Sequence, residues 1–224
     1  VGDGLEGLEV GDNVVVEPYF VDGDCDMCQA GSYHLCRQMG FIGLSGGRGG
    51  LSEKIVVDAR WVHPIGDIPL DEAALIEPLS VAHHAVAQRR EAGDTALVDR
   101  AGPIGLLTAA VLKGMVVATI ISELSQARKE KATSSRVADH VLDPSQEDVP
   151  ARVLELTGGS GADVAFECAG VNAVLDTMLD AVRPGGVVVN VAIWGAPATV
   201  DMQKLVLKEI DLRGTIAYVR DHPR

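Results

Sequence analysis

The chain has 224 residues, 47% hydrophobic and 23% charged, a globular composition with length for one large domain or two modest ones. Its 19 basic and 32 acidic residues give a net charge of −13, which argues against nucleic acid and anionic membrane as partners. No apolar run approaches a membrane span, no secretory leader is visible, and four cysteines are too few for a disulfide scaffold, so a reducing, cytoplasmic setting is expected.

Residues 1–90 read as irregular β structure. Short β-like runs, Val14-Val15-Val16 and Ile55-Val56-Val57, are separated by glycine-bearing loops, of which 42–50 is the richest in glycine. Between the two runs stand Asp22, then Cys25-Asp26-Met27-Cys28, then Cys36. Two thiols across a tight turn and a third a short loop away have the spacing of a zinc lobe; four thiolates would complete a tetrahedral site, and this lobe offers three, with Asp22 standing just ahead. The alternatives are a redox pair or chance; the polar segment offers little to pack a buried cysteine. Cys168, in the apolar run Val164-Ala165-Phe166-Glu167-Cys168, reads as a small buried hydrophobe.

From Thr95 onward, β-branched runs alternate with helical patterns. The runs 96–98, 119–121, 141–142 and 164–166 lead into helices expected over 103–113, 126–133, 149–156 and 173–182, and the run 187–191 follows. Such alternation predicts an α/β fold with a parallel sheet covered by helices on both faces. After the first of these strands comes Arg100-Ala101-Gly102-Pro103-Ile104-Gly105. A dinucleotide-binding turn has Gly-x-Gly-x-x-Gly here. Gly102 lets the backbone approach a pyrophosphate, and Gly105 lets the helix pack against the strand. The first glycine, which makes the tight turn, is replaced by Arg100, whose bulk suits the position poorly. Glu123 closes the next strand, where a carboxylate accepts hydrogen bonds from adenosine ribose hydroxyls and disfavours a 2′-phosphate, so NAD is expected over NADP. Without that context Glu123 is a solvated strand end.

Together the cysteine lobe, Val10-Gly11-Asp12-Asn13-Val14, the 40–47 run, Glu77-Pro78-Leu79-Ser80-Val81-Ala82-His83-His84-Ala85, Gly102-Pro103-Ile104-Gly105 and Phe166-Glu167-Cys168-Ala169-Gly170 resemble the zinc-dependent medium-chain dehydrogenases. The similarity is greatest to the butanediol and sorbitol dehydrogenase branch. The resemblance implies a Rossmann parallel-sheet domain over 91–208 and a partial GroES-like, β-rich catalytic domain over 1–90 with the zinc lobe at 22–36. It implies that 209–224 begins the return to the catalytic domain. Both ends of the chain are expected to be cut rather than finished.

The resemblance further implies a structural zinc held by Cys25, Cys28, Cys36 and Asp22, the last at a position the family usually fills with cysteine. It implies a catalytic zinc whose other ligands precede residue 1, with Glu77 as a ligand or as a partner of zinc-bound water. By the residues alone, Glu77 is a carboxylate at a helix N-terminus, and His83 and His84 are structural. Gly102, Pro103, Ile104, Gly105, Glu123 and Arg128 are implied to contact NAD, with Cys168, Ala169 and Val191 near the nicotinamide. The implied activity is hydride transfer between a secondary alcohol, diol or polyol and NAD in a dimer or tetramer. The alternative is a degenerate, non-catalytic relative that binds or interacts. Two departures accompany Arg100: the 113–123 segment is one residue short, and Thr133-Ser134-Ser135-Arg136-Val137 restores the length.

Overall fold

The computed structural model describes residues 2, 6–45, 49–89 and 95–220. Residues 46 and 47 of the glycine-rich loop, Val1, Asp3 and Gly4 of the opening segment, and the terminal 221–224 lie outside the described residues. The chain divides into two units, Val1–Ser80 with Ala217–Arg224, and Val81–Ile216. The divisions fall at 80/81 and 216/217 rather than at the expected 90/91 and 208/209.

The first unit holds β1 (Val14–Val16), β2 (Tyr19–Phe20), α1 (Asp26–Gln29), β3 (Gly40–Phe41), β4 (Val62–Pro64), α2 (Leu70–Ala73) and the start of α3 (Ile76–Ala87). β1 pairs antiparallel with β4, and β2 with β3. The expected strand Ile55–Val57 does not form. Val56 is 93% exposed, and β-branched residues favour a strand only where a pleated face is covered.

This unit is organised around Tyr19, whose ring centroid lies 5.4–5.7 Å from those of Tyr33, Phe41, Trp61 and Tyr218. Its phenol donates to the carbonyl of Tyr218 at 2.5 Å and accepts from the N–H of Tyr218 at 2.9 Å. One hydroxyl thus satisfies both backbone groups of a residue far away in sequence. Beside it, buried Glu17 takes hydrogen bonds from Tyr33 (2.8 Å) and Arg220 (2.8 Å) and meets His63 at 2.7 Å.

The second unit holds β5 (Thr95–Asp99), α4 (Pro103–Gly114), β6 (Ala118–Ser122), α5 (Gln126–Ser135), β7 (His140–Leu142), α6 (Val149–Leu156), β8 (Ala162–Glu167), α7 (Asn172–Ala181), β9 (Val182–Asn190), α8 (Met202–Lys208) and β10 (Asp211–Gly214). The fold is α/β, as expected. Its six-stranded sheet has the order β10-β9-β8-β5-β6-β7, every neighbouring pair parallel. The chain builds outward from β5 to β7, then returns to β8 on the other side of β5. This is the strand order of a dinucleotide-binding domain, and the reversal leaves a crevice beyond the C-terminal ends of β5 and β8.

Alternate side chains of each strand enter opposite cores. Leu97, Ile120, Ala165 and Val188 pack with α6 and α7, while Ala96, Val98, Ile121, Val164 and Phe166 pack with α4 and with Ala132 of α5. Burial on both faces explains why these strands read as continuous apolar runs. β9 starts before the expected run and ends before Val191; β10 adds a sixth strand beyond residue 208.

Four non-glycine residues of this unit hold the left-handed region: Arg100 (φ 73°), Val116 (φ 61°), Arg136 (φ 55°) and Glu209 (φ 50°). The first three lie in the segments that the sequence marks as departures.

Candidate cofactor and metal sites

The lobe begins with an aspartate turn. The Asp22 Oδ1 accepts from the N–H groups of Asp24 (2.9 Å) and Cys25 (3.0 Å), which hold its carboxyl at about 2. Cys25 then caps α1, and Cys28 sits in that helix. Cys36 follows the 3-10 turn Tyr33–Leu35, and its buried sulfur accepts from the N–H groups of Asp22 and Gln38, both at 3.4 Å. Arg37 clamps Asp26 of α1 with two bonds of 2.7 Å.

The ligand atoms of Asp22, Cys25, Cys28 and Cys36 all lie within 4.8 Å of one another, and the cysteines are free thiols. Neighbouring donors of a tetrahedral thiolate zinc site stand about 3.8 Å apart, given a Zn–S bond near 2.3 Å. Backbone N–H groups of Arg37 and Cys28 draw the Cys25 thiol below its usual range, while burial pushes Cys28 up to about 12. Thiols that resist ionising together are a donor set suited to a cation, whose charge removes the conflict. The donors fit zinc by number, chemistry and spacing.

Glu77 sits half-buried in the first turn of α3. Burial raises its carboxyl above the ordinary range, and a hydrogen bond with Tyr218 opposes that rise. Among the described residues it joins no other cluster of candidate ligands. His83 is exposed on α3, and His84 is half-buried one residue on.

In the second unit, β5 runs straight into the fingerprint turn. Gly102 is the N-cap of α4 and Pro103 its first residue, so the free N–H groups of the helix face outward from this turn. A Cβ on Gly105 would lie 1.8 Å from the carbonyl oxygen of Arg100, so only glycine fits beneath the turn; around Gly102 the space is open. Arg100 occupies the left-handed conformation that the missing first glycine would adopt without cost.

Glu123 lies just past β6 and is 5% exposed. Its Oε2 accepts from Ala101 N–H (2.8 Å) and its Oε1 from Ser125 N–H (2.7 Å), with Arg128 3.9 Å away. The carboxylate therefore ties the turn after β5 to the loop entering α5. Each oxygen keeps a second lone pair.

A cavity of about 770 Å³ opens at these strand ends. Of the residues expected to contact a dinucleotide, Glu123, Arg128 and Ala169 line it, with Arg100 beside them. Gly102, Pro103, Ile104 and Gly105 form the bordering turn without lining it. Cys168 and Val191 pack against the core cluster around Phe166, and burial raises the Cys168 thiol far above its usual range.

Among the lining residues that were not anticipated, four are polar: Asp99, Ser122, Ser125 and Thr177. Of these only Asp99 left a trace in the sequence, an acid ending an otherwise apolar strand.

Two family descriptions match, Zinc-binding dehydrogenase over residues 103–223 and Alcohol dehydrogenase GroES-like domain over residues 1–67. The chain belongs to the zinc-binding dehydrogenase family. Its relatives in that family include the (R,R)-butanediol dehydrogenase of Neisseria gonorrhoeae, 58% identical over 99% of this chain and 63% of that protein. The Bacillus subtilis enzyme of the same name is 41% identical over 97% of this chain and 62% of its own length.

The X-ray structure of 2R,3R-butanediol dehydrogenase from Bacillus subtilis matches with a TM-score of 0.87 and 40% identity, covering 99% of this chain and 62% of that one. A putative zinc-binding dehydrogenase from Sinorhizobium meliloti, solved bound to NADP, matches at 0.86 and 27% identity, covering 97% and 65%. The chain thus spans under two thirds of the length of these curated relatives.

Proposed function

We propose that this chain carries the dinucleotide-binding part and a portion of the catalytic part of a zinc-assisted, NAD-dependent dehydrogenase. Its substrate class is a small secondary alcohol, with a vicinal diol such as 2,3-butanediol foremost. The observation that carries this reading is the glycine turn of 100–105 at the reversal of a parallel sheet, with Glu123 closing the neighbouring strand. Similarity to two butanediol dehydrogenases supports the substrate class.

In this reading the open space at Gly102 admits the pyrophosphate, the α4 N-terminus favours its charge, and Glu123 and Arg128 bracket the adenosine ribose. Ala169, with Cys168 and Val191 behind it, borders the nicotinamide end. The free lone pairs of Glu123 suit a ribose diol, and its charge disfavours a 2′-phosphate, which supports NAD over NADP.

Asp22, Cys25, Cys28 and Cys36 hold a structural zinc, closed to substrate by its four protein ligands. Glu77 would belong to the surroundings of a catalytic zinc. When bound, zinc supplies Lewis acidity to the alcohol oxygen and the nicotinamide supplies a hydride acceptor. Burial shifts Glu77 towards its protonated form, against the hydrogen bond with Tyr218.

The full-length protein is proposed to be a cytoplasmic homo-oligomer, a dimer or tetramer. The exposed Met202, Val206 and Leu207 of α8 offer apolar surface for it. No helix among the described residues is long and apolar enough to cross a membrane.

The deciding experiment is titration of the chain with NADH, followed by nicotinamide fluorescence. Saturable binding that Glu123→Ala weakens is expected. Binding indifferent to that substitution, or no binding, would remove the cofactor assignment.

A further inference from the structure

Asp99 has no part in the reading above. It ends β5 where the preceding residues are apolar, is 8% exposed, and lines the cavity next to Arg100. The register that sets Val98 against Phe166 brings Asp99 level with Glu167 at the end of β8. Equivalent positions on neighbouring parallel strands face the same side of a sheet.

Glu167 is fully buried. Its Oε1 accepts from the N–H groups of Ala169 (2.9 Å) and Gly170 (2.7 Å), but its Oε2, also buried, receives no hydrogen bond. A buried acceptor left without a donor is costly. A protonated carboxyl on the adjacent strand end is the donor such an atom lacks.

Other titratable and charged groups face the pair. Arg100 comes from the turn after β5, Glu123 and its neighbour Arg128 from beyond β6, and Cys168 from the end of β8. Burial raises the Asp99 carboxyl to about 7; Glu167 and Glu123 add to the rise and Arg100 opposes it. Cys168 stays a neutral thiol, pushed up by burial and by the two carboxylates.

We propose that Asp99, lining this cavity beside buried Glu167, makes dinucleotide binding depend on protonation of its carboxyl. With the proton in place, Asp99 satisfies Glu167 and presents no charge to a pyrophosphate. When it leaves, the Asp99 carboxylate lines the cavity in front of buried Glu167 and repels that anion. Dinucleotide binding consequently takes up a proton. This inference rests on the dinucleotide reading of the cavity.

The test is the NADH affinity of the chain and of Asp99→Asn, measured between pH 6 and pH 8, one unit either side of the Asp99 value of about 7. The pyrophosphate of NADH has no group titrating there, and the amide of the variant is uncharged and still a donor. If binding raises the Asp99 carboxyl by about one unit, wild-type Kd increases about fivefold across this window. Asp99→Asn is expected to keep a nearly flat profile at the tighter value.

A flat wild-type profile, or parallel profiles in the two proteins, would overturn the proposal while leaving the cofactor reading intact. Should the variant not fold, the wild-type profile decides alone.

Thermal unfolding without nucleotide separates the two readings. A raised folded-state carboxyl means that the folded chain binds a proton the unfolded chain has lost. Stability therefore falls as pH rises from about 4 towards about 7, and the slope is reduced in Asp99→Asn. That slope without any NADH binding would overturn the nucleotide half of the proposal and preserve the protonation of Asp99.

Discussion

Replacing Val116 with glycine should stabilise this protein, because the end of α4 is built for a residue it does not have. The helix closes with two reversed hydrogen bonds, Val116 N–H to Lys113 C=O and Val117 N–H to Leu112 C=O, both 3.0 Å. That pair defines the motif in which the residue after the C-cap turns left-handed, a place usually filled by glycine. Its hydrophobic contact is present too, since Leu112 and Val117 share one core cluster.

Val116 holds the left-handed position at φ 61°. The Cβ clash there costs about 1–2 kcal/mol, and β-branching adds to it. Glycine loses about 0.5–1 kcal/mol of that gain through its more flexible unfolded chain. Val116 is 89% exposed, so truncating it sacrifices little burial. The net gain is about 1 kcal/mol, or about 2–4 °C in Tm for a chain of this size.

Differential scanning calorimetry of wild type, Val116→Gly and Val116→Ala measures this directly. Alanine retains the Cβ and should recover less than half of the effect. A glycine variant melting at or below wild type would refute the strain argument.

Arg100→Gly relieves the same strain within the fingerprint turn and removes a bulky side chain from the cavity wall. NADH affinity measured by calorimetry is expected to rise, and equal or weaker binding would contradict the steric reading. The lobe should hold about one zinc per chain, with Cys36→Ser losing most of it and Asp22→Cys retaining it more tightly against a chelator; metal analysis after dialysis checks both. Tyr19→Phe leaves the carbonyl and N–H of Tyr218 without their shared partner, at a cost of about 1–3 kcal/mol, readable as a lower unfolding midpoint in urea.

The parallel sheet was legible because its strands are buried on both faces and so appear as uninterrupted apolar runs such as Ala96–Val98 and Val164–Phe166. The fingerprint was legible because Gly105 admits no other residue beneath the Arg100 carbonyl. The thiol cluster was legible from local spacing, since a turn and one short loop suffice to gather Asp22, Cys25, Cys28 and Cys36. Ile55–Val57 misled because β-branching reports a preference for a covered pleated surface, and no strand covers it.

What local sequence determined about this protein is the set of chemical groups that lie near one another along the chain: the lobe, the helix-opening turn and the strand-closing acid. What only tertiary structure decided is which distant groups share a buried space. Tyr19 meets Tyr218, and Glu17 meets Arg220, through folding of the first unit on itself. Asp99 meets Glu167 because β8 returns beside β5, a neighbour relation set by strand order. Their electrostatics follow from that meeting, because a carboxylate is costly only once water is excluded and a second one stands beside it.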